Sequence, residues 1–142
     1  MGFCLAPKVI LQEIVKVHQF TVFSVNTPIQ LGIANYLNKH PQLVEQGVAS
    51  LVKKRDLFIN ALKPGRFKCL PCEGSYFLVV DYSAISKEDD VSFSEKLCTE
   101  HGVSTIPLSV FYHNPEQNHV LRLCFAKDDA VLLAAAERLN KL

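Results

Sequence analysis

The run Val120-Leu121-Arg122-Leu123-Cys124-Phe125 constrains this chain most, because it sets one guanidinium in the middle of a segment otherwise suited to burial. Its pattern has a period of two. Val120, Arg122 and Cys124 would face one side of a β-strand, and Leu121, Leu123 and Phe125 the other. The fold must then include a sheet packed on at least one face, with Arg122 among apolar neighbours. A guanidinium in that setting calls for an anion: its planar paired donors match a carboxylate bidentately, and a paired charge that loses its partner costs about 2–5 kcal/mol. Spacing alone also allows an arginine on the wet face of a half-exposed strand.

The rest of the chain supplies helices to cover such a sheet. Pro7 opens a helix through about residue 20, with Val9, Ile10, Ile14 and Val17 on one face, after a short stretch at Phe3-Cys4-Leu5 that can end a strand. Thr27, Pro28 and Gln30 together predict an N-cap, a first helical position and a capping box for a second helix to about residue 39. Between residues 41 and 63 the apolar positions Leu43, Val44, Val48, Leu51, Val52, Phe58, Ile59 and Leu62 form a helical stripe ended by Pro64-Gly65. At 1.5 Å per residue that is a spine of about 34 Å. Strands are expected at 66–70 and 75–81, with Gly74 at the bend. Ser92-Phe93-Ser94-Glu95 reads as a second capping box, opening a helix that ends at Gly102. A short strand at 103–106, the Arg122 strand and a last helix over 129–142 complete the chain, whose order from residue 41 on is α, β, β, α, β, β, α. That order describes an α/β arrangement in which a small sheet is covered by helices.

Composition narrows the class of partner. With 15 basic and 14 acidic residues along 142, and no basic block interleaved with aromatics, the chain has no electrostatic footprint for nucleic acid or an anionic membrane. No apolar run reaches spanning length, the N-terminus lacks the pattern of a signal peptide, and five cysteines make no regular disulfide framework. A cytoplasmic chain with reduced thiols is expected.

The motif Cys69-Leu70-Pro71-Cys72 invites a thiol oxidoreductase reading, but a redox CxxC needs a helix N-terminus to lower the pKa of its first sulfur, and here a strand follows. No second pair of ligands stands at zinc spacing among His18, His40, His101, His113 and His119, so no metal site is expected. His113 and His119 flank the turn signal Asn114-Pro115-Glu116 and read as surface residues, while Asp89 and Asp90 read as solvated loop carboxylates. The connector 18–26 is dense in aromatic and β-branched side chains, which suits an interdomain or intersubunit contact.

Several ordered stretches carry a resemblance: Gly2-Phe3-Cys4-Leu5-Ala6-Pro7, the connector from His18 to Pro28, Glu73-Gly74-Ser75-Tyr76-Phe77, Ile106-Pro107-Leu108-Ser109-Val110-Phe111, and Arg122-Leu123-Cys124-Phe125-Ala126-Lys127. Over nearly its whole length the chain resembles the C-terminal part of a class I/II pyridoxal-phosphate aminotransferase, within it the methionine and kynurenine aminotransferase group. The resemblance implies the C-terminal portion of the fold-type I transferase fold, with residues 1–40 as the tail of the large cofactor-binding domain and 41–142 as the small domain. It assigns Arg122 to the grip on the substrate α-carboxylate. Phe23 and Ser24 would stand near the substrate side chain of the neighbouring subunit in a homodimer, and the turn Gly74 to Tyr76 near the substrate entrance. Leu108 takes the place of a glycine common among relatives.

The same resemblance exposes an absence. The family's chemistry needs a lysine that forms a Schiff base with pyridoxal 5'-phosphate and shuttles a proton. It lies in a Ser-x-Lys-Thr-like stretch shortly before a Gly-Trp-Lys, and Gly2-Phe3-Cys4 resembles the segment directly after that tripeptide; Met1 then looks like an internal methionine. Lys8 and Lys16 lie outside any such motif and are expected in solvent. The expectation is a fragment of an enzyme that transfers an amino group from a methionine-type or aromatic amino acid to a 2-oxo acid. By itself it would hold no catalytic lysine, bind no cofactor and be inactive. A stand-alone module binding amino or 2-oxo acids through Arg122 is the alternative.

Overall fold

The computed structural model describes residues 2–113 and 118–142; Met1 and the turn expected at Asn114-Pro115-Glu116 lie outside them. The chain divides into two compact units, Met1–Glu45 and Gln46–Leu142.

In the first unit, α1 spans Lys8–Thr21 and α2 spans Thr27–Lys39. The N-cap of α2 is Asn26 and not Thr27: the Ile29 N–H donates to Asn26 Oδ1 at 3.1 Å. Thr27 and Pro28 become the first helical residues, and the Thr27–Gln30 capping box does not open the helix. Asparagine is at least as good a cap as threonine, and starting one residue earlier leaves Pro28 in the first turn, where its missing N–H costs nothing. Neither helix buries a single residue.

The helix α3, Leu43–Leu62, leads into the second unit, followed by β1 (Lys68–Cys69), β2 (Phe77–Asp81), α4 (Asp90–His101), β3 (Ile106–Pro107), a 3₁₀ turn (Ser109–Phe111), β4 (Val120–Cys124) and α5 (Asp129–Leu139). The strands form one sheet in the order β1-β2-β4-β3, each neighbouring pair antiparallel. The expected strands at 66–70 and 103–106 shrink to two residues each. Both are edges, and Pro107 has no N–H to extend a ladder, which confines it to one.

Alternation along the two central strands sets the core. Leu78 and Val80 of β2 and Leu121 and Leu123 of β4 point inward and are buried. Phe58 and Leu62 of α3, Phe93 and Leu97 of α4, and Leu132, Ala136 and Leu139 of α5 complete the same core. Each large side chain so enclosed contributes about 1.5–3 kcal/mol. The spine expected of α3 is only half realised: its C-terminal residues enter the core while Val44 and Val48 stay exposed.

The start of α4 also departs from the sequence reading. Asp89, not Ser92, is the N-cap, accepting from the Ser92 N–H at 2.9 Å and the Ser92 hydroxyl at 2.7 Å. Those two donors, the amide first, hold the Asp89 carboxyl below its ordinary pKa. A carboxylate at a helix N-terminus satisfies an orphan N–H and meets the positive end of the dipole, so it displaces the serine as the cap. At the other end Gly102 takes a left-handed conformation, φ 62°, where a side chain would be strained.

Candidate functional site

Arg122 is the central residue of β4, a strand paired on both sides, and it projects from the face of the sheet opposite the core. Val79 of β2 and Ile106 of β3 are its cross-strand neighbours. Its Cζ lies 4.1 Å from the centre of the Phe77 ring and 5.1 Å from that of Phe111. Phe77 faces Cys124, so it lies diagonally from Arg122, within reach of a long side chain. Ring faces favour a cation by about 0.5–2 kcal/mol, but they accept none of its hydrogen bonds. Arg122 Nε is buried and has no hydrogen-bond partner among the described residues, nor does the guanidinium form an ion pair there. Such a group is a half-filled site for an anion with paired oxygens.

The second ring comes from the 3₁₀ turn, which α4 ties down. Asp90 accepts from the Ser109 N–H at 2.7 Å and from the Ser109 hydroxyl at 2.6 Å. The sequence reading of Asp90 as a solvated loop carboxylate is thereby corrected: the helix begins at Asp90, and Ser109, nineteen residues on, uses both of its oxygens.

The other residues singled out in the sequence fall in two places. Phe23 and Ser24 belong to the first unit, in the connector after α1. Phe23, 79% exposed, adopts φ 65°, a left-handed conformation that bulky residues rarely take, with its N–H donating to the His18 carbonyl at 2.9 Å. In the second unit Ser75, within the turn 74–76, has φ 68°. Beside that turn opens a cavity of about 290 Å³ walled by Leu51, Val52, Tyr76 and Phe125, with Arg55 and Glu73 at its polar edge.

Cys69 ends β1 and Cys72 lies between β1 and β2, without a helix N-terminus beside them. Burial pushes the Cys69 pKa up, opposing the thiolate, and Lys63 offsets this only in part. The Cys72 thiol donates to the Phe77 carbonyl at 3.2 Å. All five cysteines are free. Among the described residues no three His, Cys, Asp or Glu side chains gather to hold a metal ion, and no helix is long and apolar enough to cross a membrane. His119 corrects the surface reading: it is half-buried, edge-on to Tyr82 at 5.5 Å, with Nε2 enclosed. Its carbonyl accepts from the Tyr82 N–H at 2.9 Å. Lys8 and Lys16 are exposed.

Sequence reasoning reached Arg122 but not its clamp. Phe77 could have been found from the period-two pattern of its strand; Phe111 and Asp90 carry no periodic signal.

Three comparisons bear on the arrangement. The family described as aminotransferase class I and II matches residues 1–139. Methionine aminotransferase of Escherichia coli is 52% identical over 142 residues, which is 100% of this chain and 37% of that protein. Kynurenine–oxoglutarate transaminase 1 of Homo sapiens is 31% identical, over 99% of this chain and 38% of its own length. Among solved structures, YbdL from Escherichia coli, identified with a methionine aminotransferase function, matches with a TM-score of 0.84 at 52% identity, covering 98% of this chain and 37% of that one. The chain thus spans a little over a third of the length of these relatives.

Proposed function

The chain belongs to the class I and II aminotransferase family, and from that premise we propose that it forms the substrate-carboxylate side of an enzyme moving an amino group from a methionine-type or aromatic amino acid to a 2-oxo acid. Its fold is the C-terminal portion of the aminotransferase fold. Residues 1–40 then make up the tail of the large domain and 41–142 the small domain. The observation that carries this reading is Arg122, fixed on an interior strand against Phe77 with its Nε enclosed and unfilled. Two charge-assisted hydrogen bonds from that guanidinium to an α-carboxylate fix how the amino acid lies, and with it the bond to be broken.

In a homodimer Phe23 and Ser24 supply contacts to the substrate side chain bound by the neighbouring subunit. The left-handed backbone at Phe23 supports a functional role, since strain of that kind gathers at binding loops and costs about 1–3 kcal/mol. The free cysteines fit a cytoplasmic setting.

Pyridoxal 5'-phosphate is the cofactor implied by the family, and it needs a lysine amine enclosed in a cavity. Among the described residues no lysine has that environment: Lys54 and Lys96, the two that are half-buried, are spent on Asp129 and Glu88. These residues fit the carboxylate of the substrate and not the cofactor, so we assign the 142 residues alone no transamination.

The test is an amino-transfer assay on the full-length enzyme, with L-methionine and aromatic L-amino acids as donors and a 2-oxo acid as acceptor, beside the 142-residue chain as a control. Turnover by the full length and none by the chain is the expected result. Turnover by the 142 residues alone, with a borohydride-fixable adduct on one lysine, would contradict the account.

A further inference from the structure

The 3₁₀ turn that carries Phe111 contributes nothing to the core, since no residue of it is buried and Phe111 is 62% exposed, yet its approach and its start are both fastened to α4. The Ser94 hydroxyl donates to the Thr105 carbonyl at 3.0 Å, and the Thr105 hydroxyl donates to Ser94 Oγ at 2.8 Å. One helical turn earlier on α4, Asp90 takes both donors of Ser109. Positions 90 and 94 lie on one helix face, so a single face of α4 holds the segment from Thr105 to Ser109 along its length. Two residues beyond Ser109, Phe111 stands 5.1 Å from the Arg122 guanidinium.

We propose that Asp90 and Ser109 are positioning residues for Arg122: their paired hydrogen bonds keep the Phe111 ring against the guanidinium, so that Arg122 is already oriented when a carboxylate arrives. This rests on the reading of Arg122 as the carboxylate grip. Phe77 is fixed by its strand, whereas the second ring sits on a turn none of whose residues is buried: the pairing of Ile106 and Pro107 with β4 holds its approach, and the Asp90 bonds hold its first residue, Ser109. Without them the arginine would pay more conformational entropy on binding.

The test is steady-state kinetics of the full-length enzyme with L-methionine, or whichever aromatic L-amino acid it turns over, as the varied substrate. Asp90→Ala and Ser109→Ala should each raise KM about tenfold while kcat stays within about twofold, the signature of lost uniform binding. Asp90→Asn, whose amide oxygen still accepts from the Ser109 N–H, should fall between. Phe111→Leu leaves both ties intact at an exposed position, so it should fold normally and reproduce the rise in KM. A tie serving stability alone gives the opposite split, with kcat falling as active enzyme is lost and KM unchanged, and that result overturns the proposal. So does an unchanged KM in Phe111→Leu. Arg122→Gln run in parallel separates the two readings: if it leaves KM unchanged, the carboxylate grip itself falls, whereas if it raises KM and Asp90→Ala does not, only the positioning role falls.

Discussion

The two faces of the sheet are built from alternate residues of the same strands, and they have opposite characters. On one, Leu78, Val80, Leu121 and Leu123 are at most 3% exposed and pack under three helices. On the other, Phe77, Val79, Arg122 and Cys124 are half-buried. Its one charged group on β4 has a ring for a neighbour in place of a counter-ion. The first face carries the core of the unit; the second holds a guanidinium with no ion pair among the described residues, and on the proposed function it is the face that binds. A residue one step along β4 therefore changes its job completely.

The sharpest way to break that contrast is a pair of adjacent substitutions. Leu121→Ala removes a fully buried side chain and should lower unfolding stability by about 2–5 kcal/mol in denaturant titration. Arg122→Leu should change it by no more than about 1 kcal/mol in either direction, because exchanging a charge without a partner for an apolar group of similar bulk is close to neutral. Equal losses at the two positions would mean that Arg122 is a structural element.

Tyr82 sharpens the comparison on the buried side, just past the end of β2. It stacks on Phe93 at 4.4 Å and donates to the Glu88 carbonyl at 2.9 Å. Burial, with smaller contributions from the Asp90, Asp89 and Glu88 carboxylates, pushes its pKa up to about 12 from an ordinary 10.0. The folded state thus holds a proton that the unfolded chain gives up. This contribution to stability is fully present below pH 10 and is lost as pH rises from about 10 to about 12. Thermal unfolding followed across that window should fall steeply in the parent and less in Tyr82→Phe.

The smallest effect belongs to the first unit, whose helices bury nothing. Asn26→Ala should cost about 1 kcal/mol of α2 stability, seen as lost helicity in circular dichroism, and leave the core of the second unit untouched. If Thr27→Ala proves the costlier change, the cap has been misplaced.

Much of the second unit is legible in the sequence because burial there obeys a period. The β4 alternation, the helical stripe ending at Leu62 and the stop at Gly102 each obey one local rule. The caps are missed for a different reason: Asn26 and Thr27, like Asp89 and Ser92, are both acceptable candidates a few residues apart, and only backbone geometry decides between them. The clamp over Arg122 is less legible still, since the bonds from Ser109 to Asp90 cross nineteen residues and leave no trace in local pattern. Nor does propensity foretell a left-handed phenylalanine at position 23.

The central claim, that Arg122 exists to grip a carboxylate, is met most directly by comparing L-methionine with its decarboxylated amine, 3-(methylthio)propylamine, as substrates of the full-length enzyme and its Arg122→Gln variant. The account predicts that kcat/KM for the amino acid falls by about 10²–10³-fold, the loss of a bidentate charge pair, while the amine is handled alike by both. An equal fall for both substrates would contradict it and leave Arg122 as a prop for the sheet.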